Sequence, residues 1–311
     1  MSKKDLAYVK QRFAKIRYYL GEGFTLLRPV KDVDSILADV VITDEMRKRV
    51  DYYCKLNASF QASVESQSVG NFKKAKSFVY FADLKKVVRH FSKENRFDYR
   101  FGDIVNVPEV PAFLKSRPID SDNAYSVLLK LNAVRHYAFY EDPYSFDDKK
   151  PLAVWRGANH QKARKEFVRM YHESSFADIG HSNEKRSNDI GFKGFLSVQE
   201  QLAYKYVVSI EGHDVATNLK WLMASNSLCM MKKPRFETWF MEGTLKAGVH
   251  YVELAEDFSD LEEKVNYYNH HPEEAKWIIK NANAYVTPFL DHRQEKIISL
   301  LVAQKYFSLQ G

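Results

Sequence analysis

The spacing of apolar positions changes character part-way along the chain. Over roughly the first 95 residues it is mostly helical: KKDLAYVKQRFAKIRYYL and DEMRKRVDYYCKL place apolar residues three and four apart, as an amphipathic helix requires. The segment FVYFADLKKVVRHF reads as a short strand running into a helix, and FDYRFGDI alternates as a strand ending at Gly102 and Asp103. Pro108, Pro111 and Pro118 then punctuate a loop. The second half alternates strand and helix signals. LAVW is a short strand, followed by a glycine-led turn into the basic helix of RGANHQKARKEFVRMYHE. YKYVVSI is a β-branched and aromatic strand ended by Gly212, before a helix in DVATNLKWLMASNS with Asp214 as its N-cap. SLCMM and VHYVEL are two further strands, Ser259 to Glu262 is a capping-box pattern, and Pro272 suits the first turn of PEEAKWIIKNANAYV. Such alternation implies an α/β fold with a parallel sheet covered by helices. The boundary between halves falls near Asp148–Pro151, giving one domain over 1–150 and a second over 151–290. The helix RQEKIISLLVAQKYF, within 291–311, crosses back towards the first.

Composition narrows the class. With 311 residues, 45% hydrophobic and 28% charged, the chain buries a core and is not disordered. No apolar run approaches the roughly 20 residues that span a bilayer, and the start lacks a signal-peptide core, so a cytosolic location is expected. Cys54 and Cys229 sit in unrelated contexts without CxxC spacing and read as reduced core residues. Residues 1–150 carry 27 Lys+Arg against 20 Asp+Glu and residues 151–311 carry 20 of each, so the whole net charge of +7 lies in the first half. A basic half suits an anionic partner, whether nucleic acid, a phosphorylated glycan or a membrane surface; ordinary solvated helix faces account for it equally.

In an open α/β sheet the ligand crevice lies beyond the carboxyl ends of the strands. Arg156 and Gly157 follow LAVW, where glycine allows close backbone approach and arginine can fork onto phosphate oxygens, and Arg164 adds a second cation. The helix expected from Asp214 offers free N–H groups to a diphosphate, with Lys220 on its second turn. The plain structural reading makes Trp155 core, Arg156 a surface ion pair and Lys220 solvated. No GxGxxG, GxxxxGK[ST], HExxH or GxSxG occurs, which removes the commonest dehydrogenase, P-loop, zincin and hydrolase readings. Two Asp-x-Asp triplets, Asp32 with Asp34 and Asp120 with Asp122, are of a kind that holds a divalent cation on a nucleotide diphosphate. Neither follows an expected strand, and Asp34 reads as a helix cap and Asp120 as a turn residue.

Several strings in fixed order, VWRGANHQKAR, YKYVVSIEG, TNLKWLMASNSL and HYVEL with FSDLEEKV, resemble glycosyltransferase family 90. VPAFLKSRPI and NAYSVLLKLNAVRHYAF resemble its bacterial lipopolysaccharide core transferases, and the likeness covers about residues 97–290. The resemblance implies a GT-B-like architecture of two Rossmann-like domains facing a cleft, acceptor domain first and nucleotide-sugar domain second, with no obligatory metal or other cofactor. It also implies an inverting reaction, in which a base takes the acceptor's proton as its oxygen attacks the anomeric carbon. RFGDIVNVPEVP places Asp103 where the family carries that base; a turn-forming Gly-Asp is the competing reading. Donor contacts implied by the match are Arg156, Gly157, Arg164, Gly212, Asp214, Asn218 and Lys220. Asn159 and Asn218 stand where eukaryotic members carry arginines. Lys115 and Arg117, in KSRP beside the implied base, are candidates for an anionic acceptor or a donor phosphate, or else a solvated loop.

The activity implied is transfer of glucose or galactose from its UDP form to an inner-core sugar of lipopolysaccharide, at the cytoplasmic face of the inner membrane. Its partners would be the UDP-sugar, the core acceptor and an anionic lipid surface, with no nucleic acid. Two alternatives stand beside it: a metal-dependent GT-A transferase using Asp32 and Asp34, and a basic nucleic-acid-binding protein without catalysis.

Overall fold

The structure, a computed structural model, describes residues 16–18, 20–21, 26–74, 77–119 and 122–311. They form two compact units, each assembled from separated stretches of chain. One holds the described residues through Arg135 together with Arg235–Gly243 and Phe289–Gly311; the other holds His136–Pro234 and Thr244–Pro288. The first helix expected from the sequence, in KKDLAYVKQRFAKIRYYL, lies largely outside the described residues. No helix among the described residues is long and apolar enough to cross a membrane.

The first unit is built on short strands β1 (Gln67–Ser68), β2 (Arg96–Tyr99), β3 (Ala112–Leu114) and β5 (Ser126–Leu128), in the order β1-β2-β3-β5. β1 is antiparallel to β2, and β2, β3 and β5 run parallel. β4 (Ser116–Pro118) pairs antiparallel with Phe236–Thr238, a strand far along the chain. The prolines of this region therefore bracket two strands rather than a loop. Ala112, Phe113 and Leu114 are buried on both faces, and Pro118 sits at the last position of a two-stranded ladder, where its missing N–H costs least. FVYFADLKKVV is one helix, Phe78–Val88, with Tyr80, Leu84 and Val88 buried at helical spacing, so burial overrides the strand preference of its aromatic start. Asp32, not Asp34, caps the helix Val33–Leu37, its carboxylate accepting from the Ser35 amide at 2.8 Å and hydroxyl at 2.7 Å. β2 ends at Tyr99, short of the expected Gly102.

One buried carboxylate joins three of this unit's segments. Glu295, on helix His292–Ser308, accepts from Arg49 Nη2 at 2.6 Å, from Trp239 Nε1 at 2.6 Å and from Lys130 Nζ at 2.9 Å. Arg49 belongs to helix Asp44–Tyr53, which Thr43 caps, and Trp239 to the segment after the distant strand. Tyr53 stacks on Trp239 with ring centroids 3.8 Å apart and donates to its carbonyl at 2.8 Å.

The second unit is a five-stranded, all-parallel sheet. β6 (Lys150–Gly157), β7 (Ala177–His181), β8 (Tyr204–Ser209), β9 (Leu228–Met231) and the edge strand Val252–Glu253 lie in the order Val252–Glu253, β9, β8, β6, β7. Trp155, Ile179, Tyr206, Val208 and Met230 form a core with Phe167 of helix Lys162–Tyr171, Val265 of helix Leu261–His270 and Ile278 of helix Pro272–Val286. Burying a side chain such as Phe167 contributes about 1.5–3 kcal/mol, so a core of this size dominates the unit's stability. This mixed α/β architecture with parallel sheets is Rossmann-like. Residues 136–149 close onto the sheet unit through Asp142, whose carboxylate accepts from Lys149 Nζ at 2.7 Å and from the Asn226 amide at 2.8 Å.

Two expected helix starts differ. The helix after β8 is short, Leu219–Met223, with Asn218 at its N-cap; Asp214 does not cap it, because burial of Val215 and Ala216 draws the intervening turn inward. The box expected from Ser259 and Glu262 does not form either. The Ser259 hydroxyl and amide both bond Asp257 Oδ1, at 2.7 and 3.0 Å, and Asp260 occupies the N-cap without a side-chain cap bond. Cys54 and Cys229 are both buried and free, and burial pushes both thiols up.

Replacing Glu295 by alanine leaves the Arg49 guanidinium buried without its carboxylate. The expected cost is about 3–5 kcal/mol of stability, read as a lowered midpoint in urea or thermal unfolding. A change below about 1 kcal/mol would remove Glu295 from the centre of the unit.

Candidate functional site

In the parallel sheet, β7 and β8 flank β6 on opposite sides, so the chain leaving β6 and the chain leaving β8 part company at their carboxyl ends. In an open α/β sheet this switch point is where ligands bind. Arg164, from the first turn of the helix after β6, spans it. Its Nη1 donates to the Ala158 carbonyl at 3.2 Å, its Nη2 to Ile210 at 2.7 Å and its Nε to Glu211 at 3.2 Å, and its guanidinium lies 5.9 Å from the Trp155 ring centre. One side chain therefore ties the loop beyond Gly157 to the loop beyond Ser209. Gly212 lies against it: a Cβ there would stand 3.4 Å from Arg164 Nη2. The turn closes through the Gly212 amide, which donates to the Asp214 carbonyl at 2.9 Å.

Arg156 points elsewhere. Its side chain is 5% exposed, and Nη2 bonds Asp178 Oδ1 of β7 at 2.9 Å, so it is a buried ion pair and not a surface one. Lys193 reaches the same oxygen at 3.2 Å, and the Tyr204 hydroxyl donates to Asp178 Oδ2 at 2.9 Å. Arg156 lies over Gly180, where a Cβ would collide with its Nη1 and with Lys193 Cγ at 2.7 Å. Nε and Nη1 find no hydrogen-bond partner among the described residues, and the same holds for Asn159 Oδ1 and His181 Nε2. His181 Nδ1 accepts from the Asn183 amide at 3.4 Å. Burial by itself raises the Asp178 carboxyl, but the hydrogen bond and charge of Arg156, with Tyr204 and Lys193, outweigh it and hold the group below the usual aspartate range. Burial and the bond to Asp178 push the Tyr204 hydroxyl up to about 12.

Asn218 is a structural amide: its Nδ2 donates to the Val208 carbonyl and its Oδ1 accepts from the Ser209 hydroxyl, both at 3.0 Å. Lys220 and Asp214 are buried, which overturns the reading of Lys220 as solvated. Arg156, Gly157, Arg164, Gly212, Asp214, Asn218 and Lys220 therefore all lie on β6 or β8 or on the segments that follow them, within one unit. Asp178 was not singled out from the sequence. Its signal is the parallel register, which sets Asp178 opposite Val154, two residues before Arg156.

The other candidates lie in the first unit. Asp103 follows Gly102, whose φ of +114° favours glycine, in the loop between β2 and β3. Its Oδ1 accepts from Lys115 Nζ at 2.5 Å; the Asp103 side chain is 34% exposed and that of Lys115 2%. Arg117 is not a loop cation. It is fully buried in β4, with Nε on Glu237 at 2.7 Å, Nη2 on the Tyr52 carbonyl at 2.7 Å and Nη1 on the Ser126 carbonyl at 3.1 Å. Its donors are spent on the fold, because the antiparallel pair places Arg117 opposite Glu237. Glu237 also accepts from the Tyr52 hydroxyl.

Of the two Asp-x-Asp triplets, Asp32 is occupied as a helix cap, while Asp120 lies outside the described residues. No group of three or more His, Cys, Asp or Glu side chains placed to hold a metal occurs among the described residues.

Comparison with known proteins matches the glycosyl transferase family 90 model over residues 132–309. O-glucosyltransferase LpsA of Dichelobacter nodosus is 46% identical over 308 residues, 96% of this chain and 97% of that protein. Protein O-glucosyltransferase 3 of Homo sapiens is 27% identical over 173 residues, 54% of this chain and 34% of that protein. Protein O-glucosyltransferase 2 of Danio rerio is 29% identical over 134 residues, 40% of this chain and 26% of that protein. A Rossmann-like fold with these relatives defines a glycosyltransferase, which binds a sugar donor and an acceptor. The chain belongs to glycosyltransferase family 90.

The Asp178 cluster makes a pH-dependent contribution whose sign follows from its depressed carboxyl. The stabilisation is present above the unfolded aspartate value of about 4 and is lost as pH falls through the lower folded value. Urea unfolding of the native chain and Asp178→Asn is expected to show a stability gap at pH 7 that narrows by pH 3. A gap of constant size would assign the variant's effect to packing.

Proposed function

We propose that this chain transfers a hexose from a UDP-sugar to an inner-core sugar of lipopolysaccharide, with inversion, in a two-domain arrangement of GT-B type. The parallel-sheet unit takes the donor and the first unit supplies the base. The observation that carries the reading is the placing of Asp103: a carboxylate on a glycine-set loop, partly exposed, with a buried ammonium on one oxygen. The acceptor hydroxyl gives its proton to this carboxylate as its oxygen bonds the anomeric carbon; the bond from that carbon to the diphosphate oxygen breaks, and UDP leaves with the electron pair. Glucose is favoured over galactose, because O-glucosyl transfer is the activity in the names of the relatives in three organisms.

At the donor site Gly157 and Gly212 allow the backbone close to the diphosphate, Arg164 and Asn218 hold the two loops in register, and Lys220 and Asp214 complete the segment beyond β8. Backbone dipoles fixed in advance are effective stabilisers of the charge that develops on a leaving phosphate. This assignment requires no metal. A lipid-linked acceptor places the enzyme at the cytoplasmic face of the inner membrane, where the excess of basic residues in 1–150 favours an anionic surface.

Asp103→Asn is expected to lower transfer by about 10²–10⁴-fold, since an amide cannot accept the proton. UDP affinity, measured by calorimetry with and without EDTA, is expected to stay within about twofold of the native chain, twofold being only about 0.4 kcal/mol. Loss of UDP binding in this variant would make Asp103 structural, and activity abolished by EDTA and restored by Mn²⁺ would replace the metal-free mechanism.

A further inference from the structure

Lysine seldom buries its ammonium, because removal from water is costly unless a partner offsets it. In a surface ion pair both ends stay wet. The pair between Lys115 and Asp103 is lopsided: the cation is 2% exposed and the carboxylate 34%. The side chain that bears the burial is the lysine, and the one presented outward is the aspartate.

The lysine stands on a firm base. It directly follows β3, which pairs on both sides, with β2 and with β5. The next residue, Ser116, donates its hydroxyl to the Ile104 carbonyl at 3.3 Å, so two consecutive residues tether two consecutive residues of the Asp103 loop. Upstream, the Arg100 amide donates to the Phe113 carbonyl at 3.1 Å, and Gly102 turns the chain with its positive φ.

We propose that Lys115 is a positioning residue, which fixes the Asp103 carboxylate through one oxygen in the orientation that receives the acceptor's proton, and is not a ligand for an anionic acceptor or donor phosphate. The proposal rests on the reading of Asp103 as the base. A reacting group misplaced by about 1 Å costs up to about 100-fold in rate, so the effect belongs in kcat.

The test is steady-state kinetics with UDP-glucose and core acceptor on Lys115→Met, Lys115→Arg, Asp103→Asn and the double variant, with UDP calorimetry and thermal unfolding of each. Lys115→Met is expected to lose about 10–100-fold in kcat with both KM values and UDP affinity within about threefold. Lys115→Arg is expected to regain part of the loss. The double variant is expected to be no slower than Asp103→Asn alone, since both changes remove one function. A raised KM for acceptor, or weakened UDP binding, at unchanged kcat would overturn the proposal in favour of an anion site. Full additivity, or a loss that tracks a fall in Tm, would overturn it too. Should Lys115→Met not fold, Lys115→Gln carries the same comparison. If Asp103→Asn is inactive and Lys115→Met is unimpaired, only this proposal falls; if Asp103→Asn keeps its activity, the reading of the base falls first.

Discussion

The first unit is held as one body by a buried carboxylate with three donors. Its chain arrives in three instalments, through Arg135, then Arg235–Gly243, then Phe289–Gly311. Glu295, on the third, accepts hydrogen bonds from the other two: Arg49 and Lys130 from the first and Trp239 from the second. A buried ion pair is a weak source of net stability, since desolvation consumes most of the Coulomb gain, but it is an exacting source of registry. Any other seating of helix His292–Ser308 strands a charge. Arg49 shows how closely the site is filled: its Nη1 has no hydrogen-bond partner among the described residues, and its guanidinium sits 4.7 Å from the centre of the Phe289 ring, a cation–π contact.

The second unit meets the same need differently. Its parallel strands are bridged by backbone bonds and covered by an apolar core, one ion pair, Arg156 with Asp178, joins β6 to β7, and further polar side chains gather beyond the carboxyl ends of β6 and β8. There they act on backbone. Arg164 binds three carbonyls of two loops, and Asn218 binds the end of β8. At the proposed donor site the loops are held in advance, so little ordering entropy would remain to be lost on binding. Ionic registry at Glu295 thus seats the segments of the unit that carries the proposed base, and side chains that fix backbone shape the proposed donor site.

Periodicity revealed the parallel sheet because its strands are apolar runs with glycine or polar stops, and Trp155 is core as expected. It failed where short apolar segments lie between prolines, as at Ala112–Leu114, because three residues hold too few positions to show a period. It also failed where a tertiary partner decides a polar residue's task. Nothing local to KSRP separates Lys115 from Arg117. The strand Phe236–Thr238, more than a hundred residues away, brings Glu237 to Arg117 and buries it, while Asp103 takes Lys115. The helix start at Pro272 was legible because proline suits a first turn, whose amide needs no partner, and the start at Asp260 was misplaced because two acids and a serine share the turn Asp257–Asp260.

The family resemblance implies an arginine in eukaryotic members where this chain has Asn218, and the bonding of Asn218 gives that difference a structural meaning. Its amide both donates, to the Val208 carbonyl, and accepts, from the Ser209 hydroxyl. Arginine has five donors and no acceptor, so it can make the first bond but not the second. The exchange is therefore not a simple loss of charge. It trades a cation able to reach towards a phosphate for an amide that locks the end of β8 to the start of helix Leu219–Met223. That lock sets where the short helix begins and leaves residues 210–217 as a turn, the stretch on which Arg164 closes from the other side. At the proposed donor site, stabilisation of the leaving group would then come more from fixed backbone N–H groups than from a cation at this position, with Arg164 and Asn218 fixing the backbone that carries them.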